Sequence, residues 1–242
     1  MDRALFAAAT GMAAQQQNLD VISNNLANSE VPGFKGSSET FAALAAPNQR
    51  GLGTVATGEQ VMFKAGKLEK SGGPFDVAID GQGFFVLNDG AGRRAYTRDG
   101  EFSRSADGTL RDAQGWRLDG VHIPNDALSA HVSEDGVVSA VTASGTQRLG
   151  RLRLAEFAAP ESLRAIGGTI FTATAESGPA KRVTPGSDDG PKIRFGMLEQ
   201  SNVSIIESMM QILAAQRAYE ANAKGVQAAD EMLRIANNLQ RG

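Results

Sequence analysis

The 242-residue chain has no cysteine, two histidines, one tryptophan and two tyrosines, and each scarcity closes off a class of chemistry. Without thiols there is no disulfide, no thiolate zinc site and no cysteine nucleophile, so packing alone must hold the fold. An oxidising compartment is neither demanded nor excluded. The two histidines, His122 and His131, have no second ligand pair at metal spacing, and are read as surface or packing residues.

Excess charge of one sign is missing too. Lys and Arg number 24 against 27 Asp and Glu, and no cationic run offers a local surface for a phosphate backbone, so nucleic acid is not an expected partner. No apolar stretch approaches the ~18 residues of a membrane span. Arg3 and the alanines after it superficially resemble a secretory signal. Asp2 sits in the supposed basic region, however, and helical patterning continues through the glutamines to Leu26, so no cleaved signal peptide is expected.

Motifs for catalysis and nucleotide binding are equally absent. Gly51-Leu52-Gly53 and Gly81-Gln82-Gly83 lack the spacing and following helix of a dinucleotide loop, and Gly66-Lys67 lacks the upstream glycine and the hydroxyl of a phosphate loop. The Asp-Gly pairs lack the alternating acidic ligands of a calcium loop. No catalytic, cofactor-binding or metal residue can be named, and the expectation is a non-enzymatic protein without cofactors. Two carboxylates could still meet in space, so a hydrolase with a polar cleft in its β region stays as an alternative.

What is present is patterned. Leu5, Met12, Leu19 and Leu26 recur every seven residues, with Ala8, Gln15 and Ile22 on the intermediate row. That is a heptad stripe on one helix face. The helix should end near Asn28, because Val31 precedes a proline and Pro32-Gly33 suits a type II turn. Near the other end Leu198, Ile205, Ile212, Tyr219, Val226 and Leu233 share the same spacing, beside Met209, Gln216, Ala223 and Asp230. Ser201 or Asn202 suits the helix cap, and Ser204 with Glu207 fits a capping box. The expected assembly seam is therefore Leu5, Met12, Leu19, Ile22 and Leu26 against Ile205, Met209, Ile212, Tyr219, Val226 and Leu233. Gln15, Gln216 and Asp230 interrupt these rows, and either set register or face water.

The middle of the chain differs in kind. Asp-Gly occurs at Asp80, Asp89, Asp99, Asp107, Asp119, Asp135 and Asp189, mostly beside short apolar runs such as Phe84 to Leu87. Glycine tolerates the positive φ of hairpin turns, so this region reads as antiparallel β. The expected fold is α+β: a mainly antiparallel β domain flanked by N- and C-terminal helices that pair in coiled-coil fashion. Its segments are 1–35 (helix and turn), 36–75 (extended connector with short strands near Val61 to Phe63 and Lys67 to Glu69), 76–197 (β domain) and 198–242 (C-terminal helix).

Five ordered segments carry a resemblance. Ser23 to Asn28 (SNNLAN) with Pro32 to Lys35 (PGFK), Asp76 to Leu87 (DVAIDGQGFFVL), Tyr96 to Phe102 (YTRDGEF), Leu149 to Gly168, and Leu198 to Val203 (LEQSNV) with Gln216 to Lys224 (QRAYEANAK) resemble the flagellar rod and hook proteins. Asn24, Asn25, Leu26, Asn28, Pro32, Gly33 and Phe34 carry the amino-terminal signature. The asparagines should cap the helix end and bond neighbouring backbone through their amides.

The central and carboxy-terminal segments look most like the distal rod type, while Met1-Asp2-Arg3 and the short stretch before Phe75 lean toward the proximal type. The resemblance implies a basal-body rod subunit exported by the flagellar type III apparatus. It further implies assembly in the periplasm with copies of itself and other rod or hook subunits, beneath an outer-membrane ring that acts as a bushing. A coiled-coil adhesin or scaffold would share the helical stripes but not the ordered segments.

Overall fold

The computed structural model describes residues 2–44, 53–187 and 190–239. Gly51, Leu52 and Asp189 of the segments above lie outside them. Helix α1 spans Asp2–Ala27 and α2 spans Ile205–Leu239. Between them run β1 (Ser37–Ala43), β2 (Thr54–Val61), β3 (Leu68–Lys70), β4 (Val77–Asp80), β5 (Phe84–Asn88), β6 (Arg94–Thr97), β7 (Ser103–Arg104), β8 (Thr109–Arg111) and β9 (Arg117–His122). The series continues with β10 (Ser129–Val132), β11 (Val137–Thr142), β12 (Gly145–Arg151), β13 (Leu154–Glu156), β14 (Arg164–Gly167), β15 (Ile170–Thr172), β16 (Lys181–Val183), β17 (Lys192–Phe195) and β18 (Met197–Glu199). The α+β class with helices at both ends and antiparallel strands between them is as expected.

The chain forms two compact units. One comprises the described residues of 1–29, 37–62 and 203–242, and the other comprises 30–36 and 63–202. The stretch read as a connector thus divides. Its first half is a hairpin, β1 paired antiparallel with β2, that belongs with the helices. The strand expected near Lys67 to Glu69 is β3, shifted by one residue, while the one expected near Val61 to Phe63 lies earlier, as β2, ending at Val61. Small residues and glycines carry little hydrophobic period, which is why the hairpin left no clear trace in the sequence.

In the second unit the main sheet runs β14–β15–β6–β5–β9–β8–β7, with β13 pairing both β5 and β16. β5 lies at its centre because Phe84, Phe85, Val86 and Leu87 are apolar on both faces and all buried. Below it Val77, Ile79, Leu118, Ile123, Val138 and Leu154 form one continuous core.

Three Asp-Gly pairs make hairpin turns as expected: Asp89-Gly90 joins β5 to β6, Asp107-Gly108 joins β7 to β8, and Asp135-Gly136 joins β10 to β11. In the first two the carboxylate accepts the backbone N–H two residues on, Ala91 and Thr109 respectively. Others serve different ends. Asp119-Gly120 lies within β9, and Gly100 is bare because a Cβ there would fall 1.5 Å from the Val77 carbonyl oxygen.

Candidate assembly surface

Within the first unit α1 and α2 pack antiparallel through small residues. A Cβ on Gly225 would sit 3.9 Å from the Ala8 Cβ, and one on Gly11 would sit 2.9 Å from the Asn222 amide nitrogen. Residue 8 therefore faces 225 and residue 11 faces 222, with opposite chain directions. On α2 the buried row is Ser208, Ala215 and Ala229, with Asn222 completing the heptad. Ser204 begins the helix as expected, its hydroxyl accepting the Glu207 N–H at 3.4 Å. Asn202 does other work, its amide bridging the Gly36 N–H and the Lys64 carbonyl.

That buried row is displaced by one residue from the row of Met209 and Gln216. Ile22 is buried, while Leu5, Met12, Leu19, Leu26, Ile212, Val226 and Leu233 are half-buried. Ile205, Met209 and Tyr219 are exposed. Three further residues absent from the predicted rows, Ile206, Met210 and Leu213, are 74%, 65% and 56% exposed. They sit at i, i+4 and i+7, so a search for a second apolar face would have found them. One chain thus leaves an apolar face of α2 exposed at Ile206, Met209, Met210 and Leu213.

The asparagine signature is built into the same unit. Asn25 is buried, its Nδ2 donates to the Ser37 carbonyl at 2.6 Å, and its Oδ1 accepts the Ser37 N–H at 2.9 Å. The amide stands in for a strand partner at the first residue of β1, tying the end of α1 to the hairpin. Asn28 donates to the Asn24 carbonyl at 2.8 Å and closes the last turn.

After that turn the chain enters the second unit. Phe34 N–H bonds the Val31 carbonyl across Pro32-Gly33, with Gly33 at φ +69°, a type II turn. No side chain fits at Gly33, because a Cβ would lie 2.3 Å from the Asp99 nitrogen.

Lys35 then points inward, where sequence reasoning saw no site. Its Nζ donates to Glu199 Oε1 at 2.6 Å and to the Lys64 carbonyl at 3.0 Å, and both charged side chains are 1% exposed. Arg98 reaches Glu199 Oε2 at 3.3 Å, gives its other guanidinium nitrogen to the Gly81 carbonyl at 2.7 Å, and lies over the Phe84 ring. Gly66 N–H completes the set on Oε1 at 2.8 Å, and the Glu199 carbonyl accepts the Gly33 N–H at 2.7 Å.

The buried triad Lys35–Glu199–Arg98 joins residues from the PGFK, YTRDGEF and LEQSNV segments. Burial depresses the Lys35 ammonium more than Glu199 raises it, and it depresses Arg98 likewise. Desolvation offsets much of the attraction in such a buried cluster, which brings three distant segments to one point.

Next to Arg98, Asp99 is held in a partly dry site between the Glu101 N–H and the Thr169 hydroxyl. Burial there pushes its carboxyl up to about 6, with Glu101 and Asp112 repelling the charge. No trio of His, Asp or Glu among the described residues is arranged to hold a metal. His131 packs edge-on against Phe195.

Three segments of the chain match known protein families. Residues 5–35 match the family described as flagella basal body rod protein, 78–140 the flagellar hook protein FlgE/F/G D1 domain, and 195–239 the flagellar basal body rod FlgEFG protein C-terminal region. Among curated relatives, the flagellar basal-body rod protein FlgG of Borreliella burgdorferi is 40% identical over the full length of both chains. FlgG of Agrobacterium fabrum is 34% identical over 97% of this chain and 98% of its own. The rod protein FlgF of Caulobacter vibrioides is 32% identical over 98% and 97%.

Proposed function

Because this chain belongs to the flagellar basal-body rod protein family, as a non-enzymatic structural subunit of the distal rod type, we propose that its terminal helices polymerise with those of neighbouring subunits into a hollow helical drive shaft. The observation that carries this is the apolar face of α2 left exposed by the chain's own helix pairing, at Ile206, Met209, Met210 and Leu213. Helix pairing through small residues leaves the larger apolar side chains free to pack in coiled-coil fashion between copies. The seam comprises Leu5, Met12, Leu19, Ile22, Leu26, Ile205, Met209, Ile212, Tyr219, Val226 and Leu233, with Ile22 already buried within the chain, and is extended by the exposed face. Contacts that repeat without closing generate a filament.

The family places the protein in the basal body with other rod and hook subunits. Export through the type III apparatus without a cleaved signal, passage through the periplasm and a surrounding outer-membrane ring are part of the same reading. Asn25 and Asn28 fix the end of α1 within each subunit.

Ile206→Asp or Leu213→Asp tests the seam, since both positions are exposed in the single chain. Neither substitution should change the melting of the purified protein. In cells lacking the parent gene, both should abolish rods, because a charge would be buried at several kcal/mol between copies. Normal rods from both variants would refute the seam.

A further inference from the structure

The main sheet carries a cationic groove on its face away from the core. Val86 pairs with Tyr96 and Asn88 with Arg94 across β5 and β6, while Phe84 pairs with Ala155 and Ala155 with Arg182 across β5, β13 and β16. Side chains alternate along a strand, so Arg94, Tyr96, Val86, Ala155 and Arg182 share one face, and Arg153, two residues before Ala155, joins them. They line a groove of about 180 Å³. Arg153 and Arg182 also line an adjoining groove of about 340 Å³ that includes Arg151.

The floor is apolar, formed by Val86, Ala155 and Tyr96, whose ring meets Phe157 edge-on at 4.8 Å. The rim holds three guanidiniums and one carboxylate, Asp119, which binds Arg153 at 2.9 Å. Among the described residues Arg94 and Arg182 have neither an ion pair nor a side-chain hydrogen bond.

We propose that this groove is a docking site for carboxylate side chains of a second copy of the chain, forming a lateral contact between β domains in the rod. The inference rests on the rod reading and adds a charge-dependent contact to the helical seam. Arg and Tyr over an apolar floor are what protein interfaces select, and the guanidinium fork matches a carboxylate in two-point geometry. The same chain supplies the complement. Acids outnumber Lys and Arg, and the exposed Glu101, Asp126 and Glu176 have no ion-pair partner among the described residues. A sugar polymer bearing carboxylates would engage the same charges, and the sacculus-binding arm of the test separates it from a second copy.

The test uses the full chain in cells lacking the parent gene. Arg94→Glu with Arg182→Glu should reduce the yield of isolated rods at least tenfold. Arg94→Gln with Arg182→Gln should give rods that fall apart at lower salt than the parent's, and both variants should keep the parent's melting temperature. Parent-like rod yield and salt resistance in both variants would overturn the groove proposal and leave the helical seam standing. So would normal rods accompanied by lost binding of the purified variant to peptidoglycan sacculi, which would assign the groove to a glycan. Failure of the parent gene itself to restore rods would refute the rod reading and the groove with it.

Discussion

Replacing Glu199 by alanine removes the only acid in the triad and leaves Lys35 and Arg98 buried beside each other. Lys35 loses a 2.6 Å ionic hydrogen bond, Arg98 a 3.3 Å one, and the Gly66 N–H its 2.8 Å acceptor. Breaking a buried ion pair from one side costs about 3–5 kcal/mol, and an orphaned buried N–H adds about 1–3 kcal/mol. Lys35 can shed part of this by releasing its proton, since burial already lowers its affinity for it. Arg98 cannot do so.

The expected destabilisation is therefore about 3–5 kcal/mol, or roughly 10 °C in the melting temperature of a unit this size. Replacing all three charges together, Lys35→Met, Arg98→Met and Glu199→Leu, should recover most of the loss, because matched apolar groups avoid the desolvation cost. Urea unfolding of the parent, Glu199→Ala and the triple variant measures both effects. A cost below about 1 kcal/mol for Glu199→Ala, or a triple variant no better than the single, would refute the argument that the triad positions rather than stabilises.

Two further outcomes follow from the same region. Asp99 binds its proton more tightly folded than unfolded, so it favours folding below about pH 4, and that contribution is lost as pH rises through about 6. Raising the pH from 4 to 7 should lower stability through this group by about 2–3 kcal/mol, and Asp99→Asn should remove that slope; equal slopes in urea titrations of parent and variant would count against it. Gly33→Ala must combine φ +69° with a Cβ 2.3 Å from the Asp99 nitrogen. It should cost more than about 2 kcal/mol and open residues 30–36 to protease, and a parent-like digestion pattern would be inconsistent with the close approach.

Local patterns reached a long way. A seven-residue period, a proline-glycine pair and a capping serine determine both helices, because helix formation depends on neighbours three and four residues away. Asp-Gly pairs marked hairpins for an equally local reason, the turn's positive φ. The ordered segments led to the family. Composition could not say which heptad row the chain buries on itself. That choice depends on how closely two backbones approach, and it falls on Ser208, Ala215, Asn222 and Ala229, where α1 presents small residues such as Ala8 and Gly11.

Nor could spacing reveal that Lys35, Arg98 and Glu199 meet, or that Asn25 pairs with Ser37. The triad joins positions separated by 164 and 101 residues along the chain, and no local period records such a separation. Arg94, Arg153 and Arg182 read one at a time as solvated charges. They become a groove only when β6, β5, β13 and β16 lie side by side, because strand pairing brings residues far apart in the chain onto one face of the sheet.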